Sequence, residues 1–290
     1  MKKLYLAGLL FCAVNAHAGE WIADSATQCK VWNPNPKPAE AIKWSGECKD
    51  GVANGMGTIE WFKEGKPNGT SQGNYVDGKR PNISKGSATW PSGEDYEGDY
   101  LDGKRTGKGI TTWANGDRYE GDFIENKRTG NGSYLWKNGS RYDGAFLENK
   151  RTGKGVMTWP STSRYEGDFV DGKRTGKGIL IYPNGDRYEG DFVDGKQQGK
   201  GATYCANGNH FVGDFFDGKL HGKGIYSWPN GDRYEGNFVN GDLNGKGVHI
   251  SANGRYEGEW LNNKQHGKGT FTWPSGYAHA NEWIDGKPKY

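Results

Sequence analysis

The sequence repeats itself every 23 residues, and this period constrains the fold more than any other feature. The aromatic position of a Tyr-Glu-Gly-Asp-Phe motif recurs at this spacing, with one step of 22. It is occupied by Tyr96, Tyr119, Tyr142, Tyr165, Tyr188, Phe211, Tyr234, Tyr256 and His279. Upstream, Ser71 and Trp44 hold the same place after small insertions. The period predicts about eleven units over residues 44–290, the last truncated, each burying its surface against its neighbours.

Each unit contains two short alternating runs around a glycine-containing turn, which is typical of a β-hairpin. Between Trp228 and Tyr234 the turn sequence is Pro-Asn-Gly. Pro suits the first central position of a type I turn, and Gly suits the left-handed residue of a three-residue loop. An odd loop places Trp228, Tyr234 and Phe238 on one aromatic face. The other face then carries the charged residues of each motif.

The segment Asp-Gly-Lys-Arg-Thr-Gly-Lys-Gly at residues 102–109 and 171–178 superficially resembles a phosphate-binding loop. Three residues rather than four separate Gly103 from Gly107, and Gly109 stands where that loop needs Ser or Thr. We therefore interpret the segment as a recurrent turn whose basic residues line one edge and attract anions. The anion-edge candidates are Lys104, Arg105, Lys150, Arg151, Lys173 and Arg174.

Composition supports an ordered, exported chain. A hydrophobic content of 33% and a mean hydropathy of −0.94 would suggest disorder, but 12 Trp, 16 Tyr and 11 Phe recur periodically. Residues 1–18 combine Lys2 and Lys3 with an apolar run and Ala-His-Ala, which predicts a secretory signal peptide. We expect a periplasmic, secreted or envelope-associated protein of a Gram-negative bacterium. We expect residues 19–43 to form a leader or cap, and the mature chain to have no transmembrane span.

The motif Tyr-Glu-Gly-Asp-Phe-Val-Asp-Gly-Lys-Arg-Thr-Gly-Lys-Gly, with its 23-residue period, resembles the MORN repeat (membrane occupation and recognition nexus) over roughly residues 44–286. The resemblance implies an elongated, single-layer antiparallel sheet of tandem β-hairpins, twisted into a half-pipe with an aromatic groove. It also implies scaffolding, binding of partner peptides or attachment to membranes. Residues 29–51, from Cys29 to Gly51, are similar to the leader of exported bacterial members.

Two binding functions remain open from the sequence. The first is a non-enzymatic scaffold that binds a partner protein in the aromatic groove, and the alternative is a binder of anionic lipid or polysaccharide through the basic edge. The groove candidates are Trp113, Tyr119, Trp136, Tyr142, Trp159 and Tyr165. The same rings are also expected to form the core, because a single-layer sheet has no second layer.

Catalysis and nucleic-acid binding are disfavoured. The paired acidic residues recur in almost every unit, so they indicate a solvated charge ladder rather than one active site. No metal-ligand spacing appears, and we predict no enzyme, metal or cofactor. Without the predicted signal peptide the basic and acidic residues nearly balance, which argues against general binding of nucleic acid.

Three cysteines, Cys29, Cys48 and Cys205, follow the predicted signal peptide. Cys48 belongs to the first unit, whereas Cys205 lies about six units further on, or roughly 60 Å away at two strands per unit. A disulfide requires Cα atoms closer than about 7 Å. The sequence therefore predicts a Cys29–Cys48 disulfide that pins the leader over the first hairpin, and a free thiol at Cys205.

Overall fold

The computed structural model describes residues 19–289, so the predicted signal peptide lies outside the described residues. The chain divides into two units, Met1–Ala114 and Asn115–Tyr290. In the described part of both units the regular elements are β-strands joined by turns. The predicted all-β class of tandem antiparallel hairpins is confirmed.

The first unit contains the leader and the irregular early repeats. Its strands are β1 Glu20–Ala23, β2 Lys30–Asn33, β3 Glu40–Trp44, β4 Glu47–Lys49, β5 Val52–Lys63, β6 Lys66–Tyr75, β7 Ile83–Thr89, β8 Asp95–Leu101 and β9 Lys104–Thr112. The leader strands β1 and β2 form an antiparallel pair, and β2 continues beside β5 through Lys30 and Val52. From β5 to β9 each strand pairs with the next one in sequence.

A small core fixes the leader against the first hairpin. Cys29 is joined to Cys48 by a disulfide with Cα atoms 5.8 Å apart. The buried Asp24 carboxylate accepts a hydrogen bond of 2.8 Å from the backbone N–H of Trp44. This bond, the largest influence on the group, lowers the pKa of Asp24. The leader is therefore held by a covalent bond and by a buried polar contact.

The second unit contains the regular repeats. Its strands are β10 Arg118–Ile124, β11 Lys127–Leu135, β12 Arg141–Leu147, β13 Lys150–Thr158, β14 Arg164–Val170, β15 Lys173–Ile181, β16 Arg187–Val193, β17 Lys196–Tyr204, β18 His210–Phe216, β19 Lys219–Ser227, β20 Arg233–Val239, β21 Asp242–Ser251, β22 Gly254–Leu261, β23 Lys264–Thr272, β24 Ala278–Ile284 and β25 Lys287–Pro288. Each strand pairs antiparallel with its neighbours in sequence.

The predicted three-residue loops are present. The N–H of Trp228 donates a hydrogen bond to the carbonyl of Asp232, and the N–H of Gly231 donates one to the carbonyl of Trp228. Gly231 has a φ of 90°, the left-handed conformation that the loop requires. Because Tyr226 then pairs with Tyr234, the rings of Trp228 and Tyr234 share one face of the sheet. The prediction that the odd loop places these two rings on the same face is confirmed.

The interpretation of Asp-Gly-Lys-Arg-Thr-Gly-Lys-Gly as a turn is wrong for most of its length. Only Asp171 and Gly172 form the turn, and their φ values of 49° and 82° correspond to a two-residue type I′ hairpin. The following residues belong to β15, where a bulge separates the pairs Asp168–Thr175 and Gly167–Gly178. The basic residues of this segment therefore alternate between the two faces of the sheet.

Candidate functional site

The aromatic face is built around a tyrosine that lies flat on a pair of glycines. Tyr165 is fully buried, and its hydroxyl donates to the carbonyl of Asp168 at 3.1 Å. Its ring covers Gly178, which pairs with Gly167, and the absence of side chains leaves room for it. Phe169 and Phe192 meet the ring edge-on, with centres 5.3 and 5.0 Å away.

The same arrangement recurs along the second unit, and it corrects the predicted groove. Tyr119, Tyr142 and Tyr165 are each 0% exposed, so these three groove candidates are core residues that a partner cannot touch. Burial raises the pKa of Tyr142 and of Tyr165 to about 12. The neutral hydroxyl is thus stabilised, as expected for a ring that closes the core of a single layer.

Arginine side chains cover the buried rings. The guanidinium of Arg151 lies 5.5 Å from the ring centre of Trp136 and 5.6 Å from that of Tyr142. It donates a hydrogen bond of 2.7 Å to the carbonyl of Gly172. Arg174 repeats the arrangement over Trp159 and Tyr165, at 5.9 and 5.4 Å. These distances are those of cation–π contacts.

The two guanidiniums are partly desolvated without being neutralised. Burial lowers the pKa of Arg151 and of Arg174, although arginine stays charged at physiological pH. Within residues 19–289, neither side chain has a carboxylate at ion-pair distance. Arg105 in the first unit differs, because it is paired with Glu94 at 2.6 Å.

The tryptophans of the motif remain accessible. Trp113, Trp136 and Trp159 are half-buried, in contrast to the tyrosines. In the second unit Trp136, Arg151, Trp159 and Arg174 alternate along the aromatic face, and we call these four residues the Trp–Arg ladder. The ladder offers ring faces and a guanidinium edge to a ligand. Of the six predicted groove residues, only the tryptophans can take part.

The predicted basic edge does not exist as one surface. Lys173 pairs with Val170 on the charged face, while the adjacent Arg174 pairs with Phe169 on the aromatic face. Lys150 and Lys173 form ion pairs of 2.9 and 2.8 Å with an aspartate of the next turn. Lys104 and Arg105 of the first unit are likewise on opposite faces, since they pair with Leu101 and Tyr100. Side chains alternate between the two faces after each two-residue turn, so the lysine and the arginine of all three predicted pairs lie on opposite faces of the sheet.

The stacking of these arginines on the aromatic rings was not predicted from the sequence. The signal was present, because a two-residue Asp-Gly turn after Phe169-Val170 fixes Arg174 opposite Phe169. Gln197, Leu220 and Leu243 hold the equivalent position in later repeats, opposite Phe192, Phe215 and Phe238. The arginine part of the ladder is therefore confined to the earlier repeats.

Two further kinds of candidate group are a free cysteine and a cluster of metal ligands. Cys205 is a half-buried free thiol at the tryptophan position of its repeat, and burial raises its pKa. Among residues 19–289 no cluster of His, Cys, Asp or Glu is arranged to hold a metal ion. In the same part of the chain no helix is long and apolar enough to cross a membrane.

Comparison with known families identifies the repeats. The model of the MORN repeat matches eight consecutive segments that together make up more than half of the chain. The segments are 96–118, 119–141, 142–164, 165–187, 188–210, 211–233, 234–254 and 256–276. No curated protein sequence matches the chain.

Among the solved structures that match the chain, three show the following limited similarity. The TCP domain of SAS-4 (dCPAP) of Drosophila melanogaster, in complex with a proline-rich motif of Ana2 (dSTIL), is 17% identical with a TM-score of 0.34, covering 51% of this chain and 81% of that one. The TCP10 domain of Danio rerio CPAP, in complex with a peptide of STIL, is 12% identical with a TM-score of 0.29 and coverages of 73% and 99%. A streptogramin B lyase is 11% identical with a TM-score of 0.15 and coverages of 91% and 72%. At these scores none of them indicates a ligand for this chain.

Proposed function

Since the chain belongs to the MORN-repeat family, whose repeats serve generally in scaffolding and binding, we propose that it is a non-enzymatic scaffold that binds a partner protein through the Trp–Arg ladder. The observation that carries the proposal is the composition of the ladder. Half-buried Trp136 and Trp159 alternate with Arg151 and Arg174, whose partly buried guanidiniums lack a carboxylate among the described residues.

The magnitudes favour a protein segment as the ligand. An aromatic pair contributes about 0.5–1.5 kcal/mol beyond the area that it buries, and a desolvated cation–π contact adds a similar amount. A segment that lies on the ladder can stack on the tryptophans and offer backbone carbonyls or a carboxylate to the guanidiniums. Since most of this energy is not long-range electrostatics, binding depends little on salt.

The alternative ligand, an anionic lipid or polysaccharide, lacks a matching surface. Its binding would require the six basic edge candidates to act together. Of these candidates, Lys150 and Lys173 face away from the ladder and are already ion-paired. The aspartate beside each of these lysines offsets the positive charge that would attract a further anion.

We also propose that the scaffold acts outside the cytoplasm. The apolar run and Ala-His-Ala before Gly19 support export. The Cys29–Cys48 disulfide supports an oxidising compartment, because such bonds are rare in reducing ones. N-terminal sequencing of the protein from its source tests this, with cleavage before Gly19 as the expected result.

Truncation of the ladder should abolish retention of the partner. We expect Trp136→Ala/Trp159→Ala to lower the amount of partner retained by the immobilised chain from an extract of source cells by at least about tenfold. The matched control is Val170→Ala/Val193→Ala, which removes exposed apolar side chains from the opposite face. Circular dichroism verifies that both variants remain folded.

Charge reversal separates the two candidate functions in the same assay. Lys150→Glu/Lys173→Glu reverses the exposed lysines and leaves the ladder unchanged, so we expect retention of the partner to persist. Loss of retention in this variant, together with normal retention by the tryptophan variant, would show that the lipid or polysaccharide function is correct and that the ladder is not the site.

A further inference from the structure

The charged face of the second unit contains a long open trough. Its widest part has a volume of about 930 Å³ and is lined by residues from Lys177 to Lys246. Two narrower parts of about 610 and 540 Å³ share Lys177 and Lys246, respectively, with it. The three parts are therefore continuous from Lys154 to Lys268, and we call them together the outer trough.

The outer trough has the length of an extended peptide. Lys154 lies on β13 and Lys268 on β23, so at about 4.8 Å per strand the trough runs for roughly 50 Å. An extended chain rises about 3.3 Å per residue, so about 14 residues would span it. An open trough of this length fits an extended segment better than a compact small molecule.

Two different walls border the trough. Its floor is the line of paired glycines, including Gly190 with Gly201 and Gly213 with Gly224. One wall consists of the lysines that recur in the Gly-Lys-Gly motif. The other wall consists of the side chains that lie across the line of glycines from these lysines. An extended peptide on the floor would direct alternate side chains to opposite walls.

The second wall changes character in the widest part. In the regular repeats it alternates between acidic and apolar residues, as in Glu166, Ile179 and Glu189 on adjacent strands. Val212 then takes the place of a glutamate. Ala202, Val212 and Ile225 consequently lie side by side on three adjacent strands, and Val212 is 46% exposed.

The lysine wall changes at the same place. Lys177 is paired with Asp191 at 2.7 Å, and Lys200 with Asp214 at 2.5 Å. The next lysine, Lys223, lies opposite Asn237 instead of an aspartate. Within residues 115–289 no carboxylate lies at ion-pair distance from its ammonium group. Thus an unneutralised cation faces an exposed apolar patch across the trough.

From these walls we infer that the outer trough binds an extended segment of a partner protein in which acidic and apolar side chains alternate. The apolar side chains pack on Ala202, Val212 and Ile225, and a carboxylate pairs with Lys223. Ala202, Val212 and Asn237 differ from the residues at these positions in the regular repeats, and all three line the same part of the trough. Ala202 leaves more room for the ligand, Val212 makes the wall apolar, and Asn237 leaves the positive charge of Lys223 without a carboxylate opposite it. The site lies on the face opposite the Trp–Arg ladder and does not depend on the function proposed for it.

The test uses the full chain and fluorescein-labelled, end-capped peptides of about ten residues. We expect saturable binding of a peptide that alternates Val and Glu, with a Kd below about 1 mM by fluorescence anisotropy. A Val–Lys peptide and a Ser–Glu peptide should each bind at least about tenfold more weakly, because one lacks the carboxylates and the other the apolar side chains.

Substitutions locate the site. Val212→Glu/Asn237→Asp restores the residues of the neighbouring repeats and should weaken binding of the Val–Glu peptide about tenfold, as should Lys223→Gln. The matched control Asn131→Asp/Ser133→Glu adds the same two charges to the same face outside the trough and should leave the affinity unchanged. Trp159→Ala should also have no effect.

Several results would overturn the inference. These are the absence of saturable binding up to about 1 mM, equal affinity for the Val–Lys or Ser–Glu peptide, and unchanged affinity in both Val212→Glu/Asn237→Asp and Lys223→Gln. Loss of binding in Trp159→Ala would place the peptide on the Trp–Arg ladder instead. That outcome would refute the trough site without refuting the proposed scaffold function.

Discussion

Gly178→Ala is expected to destabilise the protein by about 3 kcal/mol. In extended backbone such a change often stabilises a protein slightly, because alanine lowers the conformational entropy of the unfolded chain. Here a Cβ atom at Gly178 would lie 2.5 Å from the Cε2 atom and from the hydroxyl of Tyr165. The ring cannot move away easily, because Phe169 and Phe192 hold its edges.

Urea unfolding followed by circular dichroism measures this effect. Lys177→Ala is the matched control, since the adjacent lysine is 71% exposed on the other face and should change stability by less than about 0.5 kcal/mol. In a Tyr165→Ala background, Gly178→Ala should add almost no further destabilisation. Equal effects of Gly178→Ala and Lys177→Ala in the original chain would refute the account of the core.

The protein is expected to unfold between about pH 10 and pH 12. Burial raises the pKa of Tyr142, Tyr165, Tyr234 and Tyr256 from 10.0 to about 12. Above pH 10 the unfolded chain has lost these protons while the folded chain retains them. Stability is therefore complete below pH 10 and falls by about 1.4 kcal/mol per pH unit for each tyrosine. Four such residues together cost about 5 kcal/mol per unit, comparable to the whole stability of many domains.

Urea unfolding at a series of pH values tests this dependence. Tyr165→Phe should reduce the slope above pH 10 by about 1.4 kcal/mol per unit, because one ionisable hydroxyl is removed. Phe211 is buried at the equivalent position, so the fold accommodates the change. If the difference in tyrosinate absorbance between the two chains appeared near pH 10 while both remained folded, the raised pKa of Tyr165 would be refuted.

The architecture could be predicted from the sequence because local signals repeat. The Pro-Asn-Gly sequence after Trp228 specifies a three-residue loop, and its odd length sets which rings share a face. The turn at Asp171 and Gly172 was harder to delimit. The following Lys-Arg-Thr-Gly-Lys-Gly is polar and rich in glycine, so it lacks the alternation that predicts a strand, although each of its residues pairs with one of the two adjacent strands.

The candidate site was predicted only in part, and the reason is geometric. Tyr165 and Trp159 lie on the same face, yet one is fully buried and the other half-buried. The difference depends on Gly178 beneath Tyr165 and on Arg174 above it, both supplied by the adjacent strand β15. The outer trough was missed because Val212 and Asn237 become significant only when the register places Asn237 opposite Lys223 and Val212 on the facing wall beside Ile225.

Site-specific photo-crosslinking tests most directly whether the aromatic face is the binding surface. Tyr182 holds the position of Trp159 in the next repeat and is 37% exposed, while Val193 is 53% exposed on the opposite face. Each is replaced by p-benzoylphenylalanine, and the chain is irradiated with the partner that the wild-type chain retains. We expect a covalent adduct from position 182 and none from position 193. An adduct from position 193 alone, or from neither position while the partner is still retained, would contradict this expectation.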